Sequence, residues 1–256
     1  MQKYKIVVAY DGTDYFGWQQ QKGLPTVAQA LQDSFFKVFK KRISLLGASR
    51  TDAGVHALGQ VARFRVDLNI EPAKMFYAWN NLLPSDVVIR KLMLADQDFN
   101  PHCNVVQKEY HYHFFLERPL PIYQRYGWYY RYPVDIKKLE NVLQVFVGTH
   151  DFRSFCTGDD RENTVRTIDA IEVQEIKKFN AYRVIVLGQK FLRYMVRRMV
   201  GAGLEVASRP YLSDNDLQKA LEKKDPEQTL PKAPAKGLML HRIVYDCPKP
   251  RDIGEF

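Results

Sequence analysis

Cysteine is scarce: the 256 residues carry three, Cys103, Cys156 and Cys247, odd in number and far apart. No Cys-x-x-Cys pair starts a tetrahedral zinc cage, and this is no disulfide framework. Such thiols suit a reducing cytosol, so a cytoplasmic location is expected. The opening apolar run, Tyr4 to Tyr10, is too short for a signal peptide. No stretch approaches the roughly 20 apolar residues of a membrane helix, so no membrane partner is expected. A Gly-rich phosphate loop ending in Lys-Ser or Lys-Thr is missing, as are a dinucleotide fingerprint and a Gly-x-Ser-x-Gly elbow. ATP, NAD and a serine nucleophile have nothing here to hold or activate them. An enzyme built on this chain must work with carboxylate, Tyr and Arg, and no cofactor or metal is expected.

Positive charge, by contrast, is plentiful. The formal net charge is +9 at pH 7 and the sequence pI is about 9.3. Each Lys or Arg placed near a phosphate releases condensed counterions, which favours a polyanionic partner. Many basic proteins bind no nucleic acid, so charge alone does not decide. The length allows one large or two modest domains with a real core.

Hydrophobic periodicity predicts strands at 4–10, 43–48, 60–66 and 86–94, with helices at 27–40 and 72–81. Thr26 and Gln29 have capping-box spacing ahead of the first helix. In the second half, strands are predicted at 107–116, 128–132, 165–176, 181–188 and 239–246. Helices are predicted at 136–147, 190–208 and 213–223. Strand and helix alternate loosely twice, with hairpin-like strand pairs, so the fold class is α+β with antiparallel sheets. The join is placed near residue 105, giving domains 1–105 and 106–247, with a loose tail at 248–256.

Three segments carry possible chemistry. The first is the loop Gly47-Ala48-Ser49-Arg50-Thr51-Asp52-Ala53-Gly54-Val55-His56, set between two strands. A loop carboxylate on a rigid scaffold is well placed for catalysis. The bland alternative is a turn in which Asp52 caps neighbouring amides. His56 reads as a packing or hydrogen-bonding residue. The second is Lys108-Glu109-Tyr110-His111-Tyr112-His113-Phe114. On a strand Tyr110, Tyr112 and Phe114 share one face, a stacking platform for bases if exposed and core packing otherwise. His111 and His113 lack further metal ligands. The third is Lys190 to Gly203, where Lys190, Arg193, Arg197 and Gly201 would form one helical stripe. An Arg at 197 within that apolar pattern suggests a partly buried guanidinium, which needs a carboxylate. Gly201 and Gly203 would permit close approach.

Together these motifs resemble the tRNA pseudouridine synthase A family. Arg50-Thr51-Asp52-Ala53-Gly54-Val55-His56 resembles its catalytic motif. Tyr10-Asp11-Gly12 with Tyr15-Phe16-Gly17-Trp18-Gln19 resembles its amino-terminal signature. Lys108-Glu109-Tyr110-His111-Tyr112 is similar to its Arg/Lys-x-Tyr-x-Tyr strand. Phe191-Leu192, Met195-Val196-Arg197 and Val200-Gly201 resemble its Arg-bearing helix, and Gly237-Leu238-x-Leu240 its carboxyl-terminal motif. Two departures stand out: Ser49 where Gly is common, and Arg198 where Asn is common.

The resemblance implies two similar ferredoxin- or RRM-like α/β domains whose antiparallel sheets join across a central basic cleft. It implies a homodimer in which both subunits touch tRNA, and uridines at positions 38, 39 and 40 of the anticodon stem-loop as substrates. Asp52 would act on the ribose while the N1–C1′ bond breaks, as nucleophile or as base towards a glycal. Tyr110 would stack on the flipped base, and it or a water would help remove the C5 proton. Arg197 would pair with Asp52 and keep it ionised. Arg50 would hold the extruded nucleotide or fill its place. Two other classes fit parts of the pattern. A non-catalytic RNA-binding module would need the basic charge and aromatics but not Asp52. A carboxylate hydrolase would need a second carboxylate nearby, such as Asp151 or Glu109.

Overall fold

A computed structural model describes residues 1–157 and 163–246. The predicted tail from 248 lies outside the described residues, as does Cys247. Among the described residues one mixed sheet of ten strands runs β4-β1-β3-β10-β5-β9-β8-β7, with β2 on β3 and β6 on β5. The amino-terminal elements are β1 (Gln2–Tyr10), α1 (Val27–Phe39), β2 (Leu46–Gly47), β3 (His56–Val66), α2 (Pro72–Asn80) and β4 (Val87–Leu94). Next come β5 (Val105–Phe115), β6 (Trp128–Tyr129), α3 (Ile136–Leu143), β7 (Gly148–Asp151), β8 (Val165–Ile176) and β9 (Ala181–Gly188). The chain closes with α4 (Met195–Ser208), α5 (Asp214–Lys223) and β10 (Leu238–Tyr245).

The pairings are antiparallel except for β5–β6 and the joint between β3 and β10. That joint is short: Met239 faces His56 and Leu240 faces Ala57. It bonds the strands of the first half to those of the second, so the α+β expectation holds with a mixed, largely antiparallel sheet.

Alternation builds the first layer. Tyr4, Ile6 and Val8 of β1 and Ala62, Phe64 and Val66 of β3 are buried, while Arg65 is exposed. Phe35 of α1 packs edge-on against Phe64 and Trp79, and the Trp79 indole donates to the Leu31 carbonyl at 3.1 Å. Burying a side chain such as Phe35 stabilises by about 2–3 kcal/mol relative to exposure. Thr26 caps α1 by accepting from the Gln29 amide at 3.4 Å. Gln29 turns its own side chain to Asp33, so half of the expected capping box forms.

In the second half α4 is the central helix. Its two glycines meet other chain segments. A Cβ at Gly201 would lie 2.2 Å from the Pro231 carbonyl, and one at Gly203 would lie 2.6 Å from Leu143 of α3. The expected close approaches therefore occur, to the 231–236 loop and to α3. No helix among the described residues is long and apolar enough to cross a membrane.

Several boundaries differ from expectation. The strand predicted at 43–48 contracts to β2, and that at 128–132 to β6. The strand predicted from residue 60 begins at His56. The helix predicted over 136–147 ends at Leu143 and tightens into a 3-10 turn over Gln144–Phe146. A short strand, β7, follows where none is predicted. The largest difference is the helix predicted from 190. Tyr194 takes a left-handed conformation, φ 63°, so α4 starts at Met195 and the Lys190–Arg193–Arg197 stripe breaks into loop and helix. The apolar residues that mimic a helical period, Phe191 and Leu192, instead face a cavity.

Candidate active site

The loop between β2 and β3 is pinned on every side. The Tyr10 hydroxyl lies 2.7 Å from Thr51 Oγ1, and Gln60 on β3 both accepts from the Ser49 amide and donates to the Ser49 carbonyl. From the other side, the Trp18 amide donates to the Thr51 carbonyl at 3.2 Å and the Gly54 amide to the Tyr15 carbonyl at 3.1 Å. Gly17 makes this contact possible: its φ is +87°, and a Cβ there would lie 2.4 Å from the Thr51 carbonyl oxygen. Gly17→Ala therefore combines left-handed strain with a backbone clash. Its expected result is a loss of about 2 kcal/mol in urea unfolding together with loss of activity; unchanged unfolding would show that the loop is not braced here.

His56, the first residue of β3, is buried and structural. Its Nδ1 lies 3.1 Å from the Gly12 amide nitrogen, and its Nε2 lies 3.1 Å and 3.2 Å from the carbonyls of Arg125 and Lys236. Two carbonyls can only accept, so Nε2 is the donor. This is the hydrogen-bonding role expected of it.

Asp52 sits on the wall of a cavity of about 710 Å³. It is the only carboxylate among the described residues that line it. Its side chain is 20% exposed, and Oδ2 lies 3.5 Å from Nη1 of Arg197, whose side chain is 10% exposed. Arg197 reaches Asp52 from behind, steadied by Nε donating to the Ala233 carbonyl at 2.8 Å. The expected buried Arg–carboxylate pair is present. Its electrostatic consequence differs from expectation: burial pushes the Asp52 carboxyl above the ordinary carboxylate range, while Arg197, Arg193 and Lys232 oppose the rise without cancelling it. Those three cations also surround one ring, Tyr194, with Lys232 Nζ 4.0 Å, Arg193 4.8 Å and Arg197 5.2 Å from its centroid.

Strand β5 contributes Lys108 and Tyr110 to the lining of the same cavity. Tyr110 is buried, its hydroxyl 2.8 Å from Ser49 Oγ, its ring edge-on to Phe191 at 5.0 Å. Burial raises its phenol to about 12. Tyr112 is fully buried and donates to the Pro234 carbonyl at 2.9 Å, so it is a core residue and forms no exposed platform with Tyr110. Arg50 is exposed on the cavity rim. Arg198 turns away, its guanidinium 3.5 Å from the Ser154 carbonyl and 3.1 Å from Thr157 Oγ1.

Sequence reasoning missed Lys108. Its Nζ donates to the Ala48 carbonyl at 2.9 Å and to Ser49 Oγ at 3.3 Å, and it lines the same cavity. The signal available was Ser49, the departure from the family pattern.

The other face of β5 is chemically distinct. There Glu109, His111 and His241 bring one donor atom each within 4.8 Å of one another, partners that sequence reasoning did not find for His111. They do not suit a metal. The His111 and His241 rings stack at 4.1 Å with 14° between planes, so their in-plane lone pairs do not converge. Glu109 is already engaged by His111 at 2.6 Å and Arg242 at 2.5 Å. Asp151, the other carboxylate considered for hydrolysis, is held by Lys224 at 3.2 Å and does not line the cavity.

Comparison with known proteins agrees with this picture. A family model described as tRNA pseudouridine synthase matches residues 6–104 and 142–246. The tRNA pseudouridine synthase A of Thermodesulfovibrio yellowstonii is 35% identical over 251 residues, covering 94% of this chain and 98% of that one. That of Pseudothermotoga lettingae is 36% identical, over 96% and 100%. That of Chlamydia pneumoniae is 37% identical, over 97% and 94%. Among solved structures, a chain of a Cbf5-Nop10-Gar1 complex aligns with a TM-score of 0.35 and 15% identity over 76% of this chain and 43%, less than half, of that one, a likeness too slight to inform the fold. With its motifs in order along the sequence and gathered around one carboxylate, this chain belongs to the tRNA pseudouridine synthase family.

Proposed function

We propose that this protein isomerises uridine to pseudouridine in tRNA, at positions 38, 39 or 40 of the anticodon stem-loop, with Asp52 as the reacting carboxylate. The observation that carries this is the cavity in which Asp52 is the sole carboxylate among the described lining residues, backed by Arg197, with Tyr110 lining the same cavity. With one carboxylate among the described residues that line the cavity, two-carboxylate hydrolysis lacks its second group there. A plain RNA-binding groove gains nothing from a desolvated anion beside phosphates.

Asp52 either bonds to C1′ as the N1–C1′ bond breaks, or takes the C2′ proton to give a glycal. In both cases the freed uracil stays in the cavity and rejoins C1′ through C5, displacing the Asp52 carboxylate in the first route, while Asp52 returns the proton to C2′ in the second. C5 then loses one proton and N1 gains one, so product and substrate are isomers. A cavity serves this sequence, because a detached base must not diffuse away before it rejoins the ribose. Phe191 and Tyr110 offer flat surfaces for the base, and Arg50 on the rim is placed to hold the flipped nucleotide's backbone or fill the vacated stack. The residues act at the chain's two halves, and we read these as two ferredoxin-like domains, 1–105 and 106–247, whose sheets meet at β3 and β10. A homodimer acting in the cytoplasm, with both subunits touching one tRNA, completes the proposal.

Tritium release from tRNA labelled at uridine C5 tests it. Release, with product mapped to the anticodon stem-loop, is the expected result. Tight tRNA binding without release from any tRNA would instead favour the RNA-binding reading. The tRNA affinity should fall steeply with salt, roughly 10³-fold between 50 and 200 mM if about six phosphates are contacted. A flat response would mean that phosphate contacts do not carry binding. Light scattering should give twice the chain mass.

A further inference from the structure

Tyr110 presents a chemical difficulty. A buried phenol raised to about 12 is neutral near pH 7. A neutral phenol can take a proton at its oxygen only if it passes its own proton on in the same step. The structure supplies a route. The Tyr110 hydroxyl lies 2.8 Å from Ser49 Oγ, and Ser49 Oγ lies 3.3 Å from Lys108 Nζ. These three groups run without a gap from the cavity to an amine. Lys108 has no carboxylate within ion-pair distance among the described residues. Ordinarily a half-buried lysine is matched to an anion.

We propose that Tyr110, Ser49 and Lys108 form a proton relay that removes the C5 proton after the base has rejoined the ribose, with Lys108 as the terminal acceptor. This rests on the synthase reading above. The bookkeeping closes: the C5–H bond breaks and its electrons restore the ring double bond. The proton passes to Tyr110 Oη, the phenol proton to Ser49 Oγ, and the serine proton to Lys108 Nζ. The tyrosine and serine end as they began, and the new ammonium returns its proton to solvent. Ser49 and Lys108 act through Tyr110 and are positioning residues for it.

The surroundings of Lys108 favour this use. Burial and, second to it, the neighbouring Lys190 charge together lower its amine to about 8. His102, on the same wall and itself lowered by burial and by Lys108, adds no standing positive charge near pH 7. The Asp52 charge acts on Tyr110, raising its phenol and so favouring its neutral form. An amine near 8 is partly unprotonated slightly above neutral pH, which is the state the relay needs.

The test compares wild type, Ser49→Ala, Lys108→Met and Lys108→Arg in single-turnover conversion of tRNA carrying ordinary or C5-deuterated uridine, from pH 6 to 9. Wild type should speed up with pH towards a plateau above about 8, where the lysine is neutral. Ser49→Ala and Lys108→Met should be slower by roughly 100-fold, lose the rise with pH, and show a primary isotope effect across the whole pH range, whereas wild type shows one only on the rising limb below about 8, where C5 deprotonation limits it. Lys108→Arg keeps the charge but cannot deprotonate, so it should stay slow. Wild-type rates in Ser49→Ala, or full rescue by Lys108→Arg, would overturn the relay while leaving the synthase reading intact. Slow variants with no isotope effect would overturn it too, since misfolding or lost binding slows every step alike. Failure of wild type to convert any tRNA would remove the synthase reading first.

Discussion

Asp52→Asn is expected to abolish conversion of uridine to pseudouridine, by roughly 10⁴-fold or more, the scale reached when a sole reacting group is removed. The fold should not suffer. Burial holds the Asp52 carboxyl above its ordinary range in the folded chain. The sign follows from linkage: a carboxyl raised on folding favours the folded state when protonated, and that contribution is lost as pH rises through the unfolded value towards the folded one. At neutral pH the ionised Asp52 therefore costs stability, although Arg197 limits the cost. Asparagine keeps the shape and removes the charge. The unfolding temperature of Asp52→Asn at pH 7 should match or exceed that of wild type, and tRNA affinity should change little because positioning comes from other contacts. Near-normal turnover would refute the assignment of Asp52. A marked fall in unfolding temperature would mean that the carboxylate is structural.

Arg197→Met should be damaging in two separable ways. Arg197 is 9% exposed, and its guanidinium donates to the carbonyl of Ala233, itself fully buried. Losing that bond leaves a buried carbonyl without its charged donor, about 2 kcal/mol, or ~4–8 °C in unfolding temperature for a chain of this size. Catalysis should fall further than stability explains, because Arg197 is the foremost opponent of the burial effect on Asp52. Without it the carboxyl rises further, so the acid limb of the rate profile should move to higher pH, with the deficit larger at pH 6 than at pH 9. An unshifted limb would show that Arg197 is a structural bolt between α4 and the 231–236 loop.

The parts of this site that could be read from residues alone were those fixed by local chemistry. Asp52 sits in a loop whose glycines and flanking strands announce a special backbone. Arg197 betrayed itself as a charge inside an apolar helical pattern. Tyr110 stood out in an alternating strand. What could not be read was set by distant partners. Lys108 looks like any strand lysine until β2 brings Ser49 and Ala48 against it, and that pairing crosses about 60 residues of sequence. Phe191 and Leu192 have helical spacing, yet the left-handed Tyr194 ends the helix before reaching them. Tyr112 carries the same alternation as Tyr110; only the Pro234 carbonyl separates core from cavity. The α+β class was legible from the order of periods, whereas the parallel meeting of β3 and β10 was not, because strand order is decided by contacts that no window of sequence contains.

That meeting has a consequence for how the chain comes to life. Strand β10 is the last described element, yet in the sheet it lies between β3 and β5. Until residues 238–245 leave the ribosome, both neighbours present open edges and the first half has nothing to register against. The cavity wall that includes Leu238 arrives with the same strand. Strand β10 is thus the keystone of the sheet, and a chain in which it has not yet paired holds Asp52 in an unfinished chamber.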